Sequence, residues 1–192
     1  NNSMSPAKHP IRALILVPTR ELAVQVYESV ITYAKYLPLR ATVVFGGVNI
    51  DAQIEAVRFG IEILVATPGR LLDHLQQKTL SLSKVEILIL DEADRMLDMG
   101  FLPDIKQIVQ ILPEERQNLM FSATFSGEIK KLANKILKKP VLIEVAKQNS
   151  VSEMITHVVH PIDSCRKQEL LIFLIEQKEL QQVLIFTRTK QG

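Results

Sequence analysis

Short apolar runs alternate with segments of helical period along this 192-residue chain, and that alternation narrows the accessible folds more than any other feature. A strand followed by a helix long enough to recross the sheet is the repeating unit of parallel sheets covered on both faces. Strands are predicted over residues 11–17, 41–45, 61–65, 85–90, 118–121 and 141–145. The run at 85–90 reads Val, Glu, Ile, Leu, Ile, Leu, a near-continuous apolar stretch of the kind that parallel strands carry. Between the strands, the spacing predicts a helix over 21–36 with Leu22, Val26, Val30 and Ala34 on one face. A second helix over 126–137 places Ile129, Leu132, Ala133 and Ile136 together. Lys138, Lys139 and Pro140 close it, with cations at its negative end and a residue that cannot continue it. The expected class is α/β, a parallel sheet with flanking helices.

A polar stretch at 147–153 (Lys, Gln, Asn, Ser, Val, Ser, Glu) interrupts the alternation and reads as a linker. The predicted organisation is a first domain over 1–146, a linker over 147–154 and the beginning of a second domain over 155–192. That beginning should hold a strand at 156–162, a helix at 166–177 and a strand at 183–186, too little to bury a core by itself. Hydrophobic residues make up 47% of the chain, enough for a core in the first domain. The net charge is only +2, so any nucleic-acid surface has to be a local patch made by folding. The single cysteine, Cys165, excludes an intramolecular disulfide, suits a reducing compartment, and is expected as a small core residue. No uninterrupted apolar stretch approaches the ~18 residues of a membrane span. The first residues lack the basic-then-apolar layout of a signal peptide. A cytoplasmic location is expected.

The strand at 85–90 runs without a break into Asp91, Glu92, Ala93 and Asp94. Acids after a strand can simply charge the first turn of the next helix. In an open α/β sheet, however, the strand tip faces the ligand crevice, where an Asp commonly holds the magnesium of a bound nucleotide. Four other strand ends carry residues suited to oligoanions. Thr19 can cap a helix whose free amides lie beside Arg20, after Pro18. Gly46 and Gly47 let a ligand backbone come close. Thr67, Pro68, Gly69 and Arg70 combine an N-cap hydroxyl, a proline at the first helical position, a glycine and a guanidinium. Ser122 and Thr124 place two hydroxyls beside the acids, although local turn bonding is their simpler use. Tips of parallel strands share one edge, so the five clusters should converge on one surface.

In these residues the chain resembles a DEAD-box RNA helicase, with wording close to the bacterial RhlE-like branch. The matching pieces are PTRELA at 18–23, GG at 46–47, TPGR at 67–70, DEADRMLDMGF at 91–101, SAT at 122–124 and IFTRT at 185–189. The resemblance implies two RecA-like domains clamping ATP and RNA. It implies that Asp91 positions magnesium, that Glu92 activates the water attacking the γ-phosphate, and that Asp94 bonds to Ser122 and Thr124, coupling nucleotide state to RNA grip. Pro18, Thr19, Arg20, Gly46, Gly47, Thr67, Gly69 and Arg70 are implied as the RNA track of the first domain. Thr187 and Thr189 are implied as its continuation in the second, with Thr189 the better match. Contacts to sugar and phosphate carry no base identity, so binding of single-stranded and duplex RNA should be sequence-tolerant.

The chain also departs from the pattern. No two of its seven glycines stand five apart with a lysine following, so no Walker A loop is present. The family's adenine-reading glutamine segment and the second domain's arginine-bearing segment are likewise not found. The expectation is an internal fragment of an ATP-dependent RNA helicase: an incomplete first RecA-like domain followed by the start of a second, inactive by itself, with an unpaired sheet edge and marginal solubility. The alternative is a non-catalytic RNA-binding or partner-binding module.

Overall fold

The computed structural model describes residues 9–144, 156 and 158–187. The chain divides into two compact units, Asn1–Asn149 and Ser150–Gly192. The predicted linker at 147–154 lies outside the described residues.

The first unit is a five-stranded, wholly parallel sheet. Its strands are β1 (Ala13–Leu16), β2 (Ala41–Val44), β3 (Ile63–Ala66), β4 (Ile87–Leu90) and β5 (Gln117–Met120), in the spatial order β2-β3-β1-β4-β5. Helices make every crossover: α1 (Arg20–Ala34), α2 (Asp51–Arg58), α3 (Pro68–Gln76), then α4 (Ala93–Asp98) with α5 (Leu102–Ile111); α6 (Gly127–Ile136) follows β5. Alternation along β1 explains the layering. Leu14 and Leu16 enter one core with Leu64, Leu71, Leu88, Ile105, Ile108 and Ile129. Ile15 and Val17 enter a second core with Ala23 and Val65, closed by Leu22, Val26 and Val30 of α1. Each fully buried Leu or Ile contributes about 1.5–3 kcal/mol, so the central strands hold most of the stability. In α6 the predicted face, Ile129, Leu132, Ala133 and Ile136, is buried.

The registers align one row across the whole sheet. Val44 lies beside Ala66, Ala66 beside Leu16, Leu16 beside Leu90, and Leu90 beside Met120. Every segment following that row therefore leaves the sheet at the same edge. At the opposite edge, Glu62 joins three strand starts. Its carbonyl accepts from the amides of Arg12 (2.8 Å) and Ala13 (2.9 Å), and its carboxylate from the Arg40 amide (2.8 Å) and the His9 ring.

Three predicted strands are not formed in their described parts. Residues 141–144 carry no strand, and Val141, Leu142 and Ile143 are exposed; residue 145 lies outside the described residues. In the second unit, the described parts of 156–162 and 183–186 join no ladder, and Val183, Leu184, Ile185 and Phe186 are exposed. An apolar run marks a segment fit for a sheet, but a strand exists only where a neighbour accepts its hydrogen bonds. The predicted helix is formed as α7 (Lys167–Gln177), after a 3₁₀ turn at Ser164–Arg166. Cys165 sits in that turn and is exposed, not a core residue, because the turn buries none of its side chains.

Candidate functional site at the carboxyl edge of the sheet

Sheet order sorts the strand ends into two groups. Across β2, β3 and β1 come Gly46 and Gly47, then Thr67, Gly69 and Arg70, then Pro18, Thr19 and Arg20. Across β4 and β5 come Asp91, Glu92 and Asp94, then Ser122 and Thr124. Thus the glycine and arginine clusters occupy three adjacent strands, and the acids and hydroxyls the other two.

Each segment has a local reason for its shape. The Thr19 hydroxyl accepts the Leu22 amide (3.3 Å), capping α1 as predicted. Arg20, exposed on the first turn, lies over Phe45 with its guanidinium carbon 5.2 Å from the ring centroid. That contact reaches past β3 to the end of β2. Gly47 has φ +81°, a conformation costly for any side chain, and open space surrounds the position where a Gly46 Cβ would stand. Pro68 opens α3 as predicted, but the Thr67 hydroxyl makes no capping bond, a departure from its expected role. A proline at the first helical position removes one amide that would otherwise need satisfying.

Arg70 is nearly enclosed, its side chain only 10% exposed. Its Nη2 donates to the Val48 carbonyl (2.8 Å). Its Nε is 3.4 Å from an Asp73 carboxylate oxygen, within ion-pair range but not in hydrogen-bonding geometry, so Nε and Nη1 are buried without hydrogen-bond partners.

On the other side, Glu92 adopts a left-handed conformation (φ 48°, ψ 51°) at the start of α4. For a non-glycine residue this costs of order 1–3 kcal/mol. The helix receives no side-chain capping bond, which weighs against the acids serving merely as caps. One Asp91 oxygen accepts the Glu92 amide (2.9 Å), and Glu92 pairs with Arg95 (3.1 Å). Asp94 accepts the Thr124 amide (2.9 Å), tying α4 to the end of β5, while the Ser122 hydroxyl donates to the Thr124 carbonyl (2.8 Å). Burial alone raises the Asp94 pKa. Hydrogen bonds from the Thr124 hydroxyl, the Arg95 and Thr124 amides and the Ser122 hydroxyl outweigh that and hold it below the ordinary aspartate value. Asp91, Glu92, Ser122 and Thr124 line one cavity of about 1060 Å³ with β5 and residues 140–144.

Thr187 lies in the second unit, exposed and outside any helix or strand; Thr189 lies outside the described residues. Three residues with a part here were missed from sequence. Arg95 had a signal, its helical i+3 spacing from Glu92. Gln53 and His74 are polar residues buried in apolar positions of α2 and α3, and nothing in a helical pattern says what such a residue bonds to.

Among the described residues no group of three or more His, Cys, Asp or Glu could hold a metal. Magnesium is typically held by one or two carboxylates together with substrate phosphates, and Asp91 supplies a carboxylate of that kind.

The family model described as "DEAD/DEAH box helicase" matches residues 2–132. The DEAD-box ATP-dependent RNA helicase RhpA of Helicobacter pylori is 39% identical over 183 residues, covering 95% of this chain and 37% of that protein. ATP-dependent RNA helicase RhlB of Pseudomonas putida is 41% identical over 182 residues, 93% of this chain and 46% of the relative. The DeaD helicase of Klebsiella pneumoniae is 38% identical across 100% of this chain and 30% of its own length. The chain thus spans less than half of each of these relatives. The crystal structure of the yeast DEAD-box splicing factor Prp28 superposes with a TM-score of 0.67 at 34% identity, covering 73% of this chain and 34% of that one.

Proposed function

The chain belongs to the DEAD/DEAH box helicase family, and from that premise we propose that it forms part of a cytoplasmic ATP-dependent RNA helicase, in which RNA-stimulated ATP hydrolysis drives local duplex unwinding. The reading includes a first RecA-like domain over 1–146, a linker over 147–154 and a second domain from 155. The observation that carries it is the contact of Asp94 with the Thr124 amide (2.9 Å). It joins the acid-bearing helix to the β5 end on the same sheet edge as the three anion-suited loops.

In this reading Asp91 holds magnesium, which when bound offsets phosphate charge. Glu92 takes a proton from the attacking water, and its left-handed backbone sets its carboxylate apart from the helix-capping position. Asp94 positions Ser122 and Thr124, which report nucleotide state to the RNA track. Pro18, Thr19, Arg20, Gly46, Gly47, Thr67, Gly69 and Arg70 form the first domain's share of that track, and Thr187 with Thr189 the second's. The mainly hydroxyl, amide and guanidinium donors read sugar and phosphate, so single-stranded and duplex RNA are held without sequence preference.

The test is phosphate release by the intact protein with and without RNA. Glu92→Gln should lower RNA-stimulated turnover by about 10³-fold, the scale on which positioned catalytic groups act, while single-strand RNA binding persists. Turnover that survives the substitution would sink the assignment. The 192 residues alone contain no lysine-bearing glycine loop, so this stretch by itself should release no phosphate. It should bind RNA weakly, independently of ATP and sensitively to salt.

A further inference from the structure

The Gly46–Gly47 turn is bracketed by two carbonyls, Phe45 before it and Val48 after it, and both are occupied. The Gln53 side-chain amide donates to the Phe45 carbonyl (3.0 Å). The Arg70 guanidinium donates to the Val48 carbonyl (2.8 Å). Gln53 is 8% exposed and His74 not at all, and the two approach each other at 3.5 Å between His74 Nε2 and Gln53 Oε1.

The hydrogen bonding admits one consistent set of roles. With the Gln53 amide nitrogen committed to Phe45, its oxygen needs a donor, which His74 Nε2–H supplies. His74 Nδ1 then accepts from the Thr79 hydroxyl at 2.7 Å, the shorter of that hydroxyl's two options, the other being the His74 carbonyl at 3.1 Å. That is a neutral histidine, in keeping with burial and the neighbouring Arg70 charge, which together press its pKa down against the opposing pull of Asp73. His74 and Arg70 stand one turn apart on α3, so both shoulders of the turn are tied to the same helix, one directly and one through Gln53.

We propose that Gln53, held by His74, and Arg70 are positioning residues that clamp the Gly46–Gly47 turn from both sides, so that its backbone amides meet an RNA phosphate already ordered. This rests on the RNA-binding reading above for its ligand, while the clamp itself is a property of the ligand-free protein. The geometry also assigns Arg70 a different task from Arg20. Arg20 is exposed at the helix start, whereas Arg70 spends Nη2 on a backbone carbonyl and has Nε and Nη1 withdrawn from the surface.

Gln53→Met in the intact protein preserves side-chain length but removes the donor to Phe45, and Gln53→Glu keeps an oxygen toward His74 while also losing that donor. Two measurements apply, both well below the melting temperature of each variant. The first is the backbone order parameter of the Gly46, Gly47 and Val48 amides without RNA, expected to fall in both variants. Unchanged order parameters in both overturn the clamp, whatever RNA does. The second is single-stranded RNA affinity across a salt series, expected to fall about tenfold, the scale of one lost hydrogen bond to a charged group. Its salt slope should not change, because a backbone amide releases no counterions as a cation does. A purely structural residue would lower the melting temperature but leave the affinity of the folded protein intact, and that result overturns the positioning role. If the unsubstituted protein binds no RNA, the proposed function fails on that ground and the affinity claim with it, while the order parameters still decide the clamp.

Discussion

At the scale of the residue, the site is written in small groups whose fold and ligand demands can be separated. Gly69 stands in the first turn of α3 with open space around the position of a Cβ. Nothing in the fold requires glycine there, and alanine is the better helix former by up to about 1 kcal/mol. Gly69→Ala should therefore raise the unfolding midpoint, yet weaken RNA binding because a methyl group then stands where the phosphate chain approaches. A variant that gains stability with unchanged RNA affinity would remove Gly69 from the track. Asp94 gives a pH-resolved counterpart. Its folded pKa is held below the ordinary value, so the unfolded chain binds the proton more readily. The stabilisation is complete above the unfolded aspartate pKa of about 3.9 and is lost as pH falls through the lower folded value. Asp94→Asn should cost about 1 kcal/mol at neutral pH, a difference that shrinks towards zero as the parent protonates. Denaturant midpoints measured down the acid limb check this, and a pH-independent difference would show that the carboxylate charge is not what the Thr124 amide recognises.

At the scale of the element, the edge where strands begin serves the fold alone, and the edge where they end carries the candidate chemistry. Glu62 is the clearest case at the starting edge. Burial raises its pKa, but the Arg40 amide and the His9 ring outweigh that and lower it, and its backbone also joins β1 and β3 to the start of β2. Glu62→Ala strands the Arg40 amide and the His9 ring, and should cost about 1.5–3 kcal/mol, read as a lower denaturation midpoint with no effect on RNA affinity per folded molecule. The same contrast governs what the sequence revealed. Four strands of the first unit were legible as apolar runs that send buried residues into the core, while β5 was found although it buries none of its own; the cap at Thr19, whose hydroxyl accepts an amide three residues on, was legible too. The run at 141–145 carried the same signal without becoming a strand over 141–144, because a run does not name its partner. Gln53 and His74 stayed illegible for a related reason: a polar residue on an apolar face announces a buried bond, but the Phe45 carbonyl that Gln53 meets is eight residues away, just past the end of β2. Asp94 was expected to meet two hydroxyls, and beside them it also accepts the Thr124 backbone amide at 2.9 Å, a partner every residue possesses and no motif marks.

At the scale of the whole molecule, charge decides how the chain can hold an anionic polymer. Basic and acidic residues nearly cancel, at 23 against 21, and among the described residues no helix is long and apolar enough to cross a membrane. Attraction from the overall field is therefore small, and the grip proposed for the first unit must come from donors aligned by the shared sheet edge. Most of these are amides and hydroxyls, which add affinity without releasing counterions. Arg20 differs, since it is exposed and braced over Phe45 at 5.2 Å. If it neutralises one phosphate, Arg20→Ala should make the slope of log affinity against log salt shallower by about 0.7, the single-strand value for one released counterion. Gly69→Ala, at a position that carries no charge, should weaken binding and leave that slope alone. Titrating both variants of the intact protein across a salt series separates a cation on the track from a backbone that merely approaches it. Equal slopes for Arg20→Ala and the parent would place the phosphate elsewhere on the edge, and with it the order in which GG, TPGR and PTR meet the RNA.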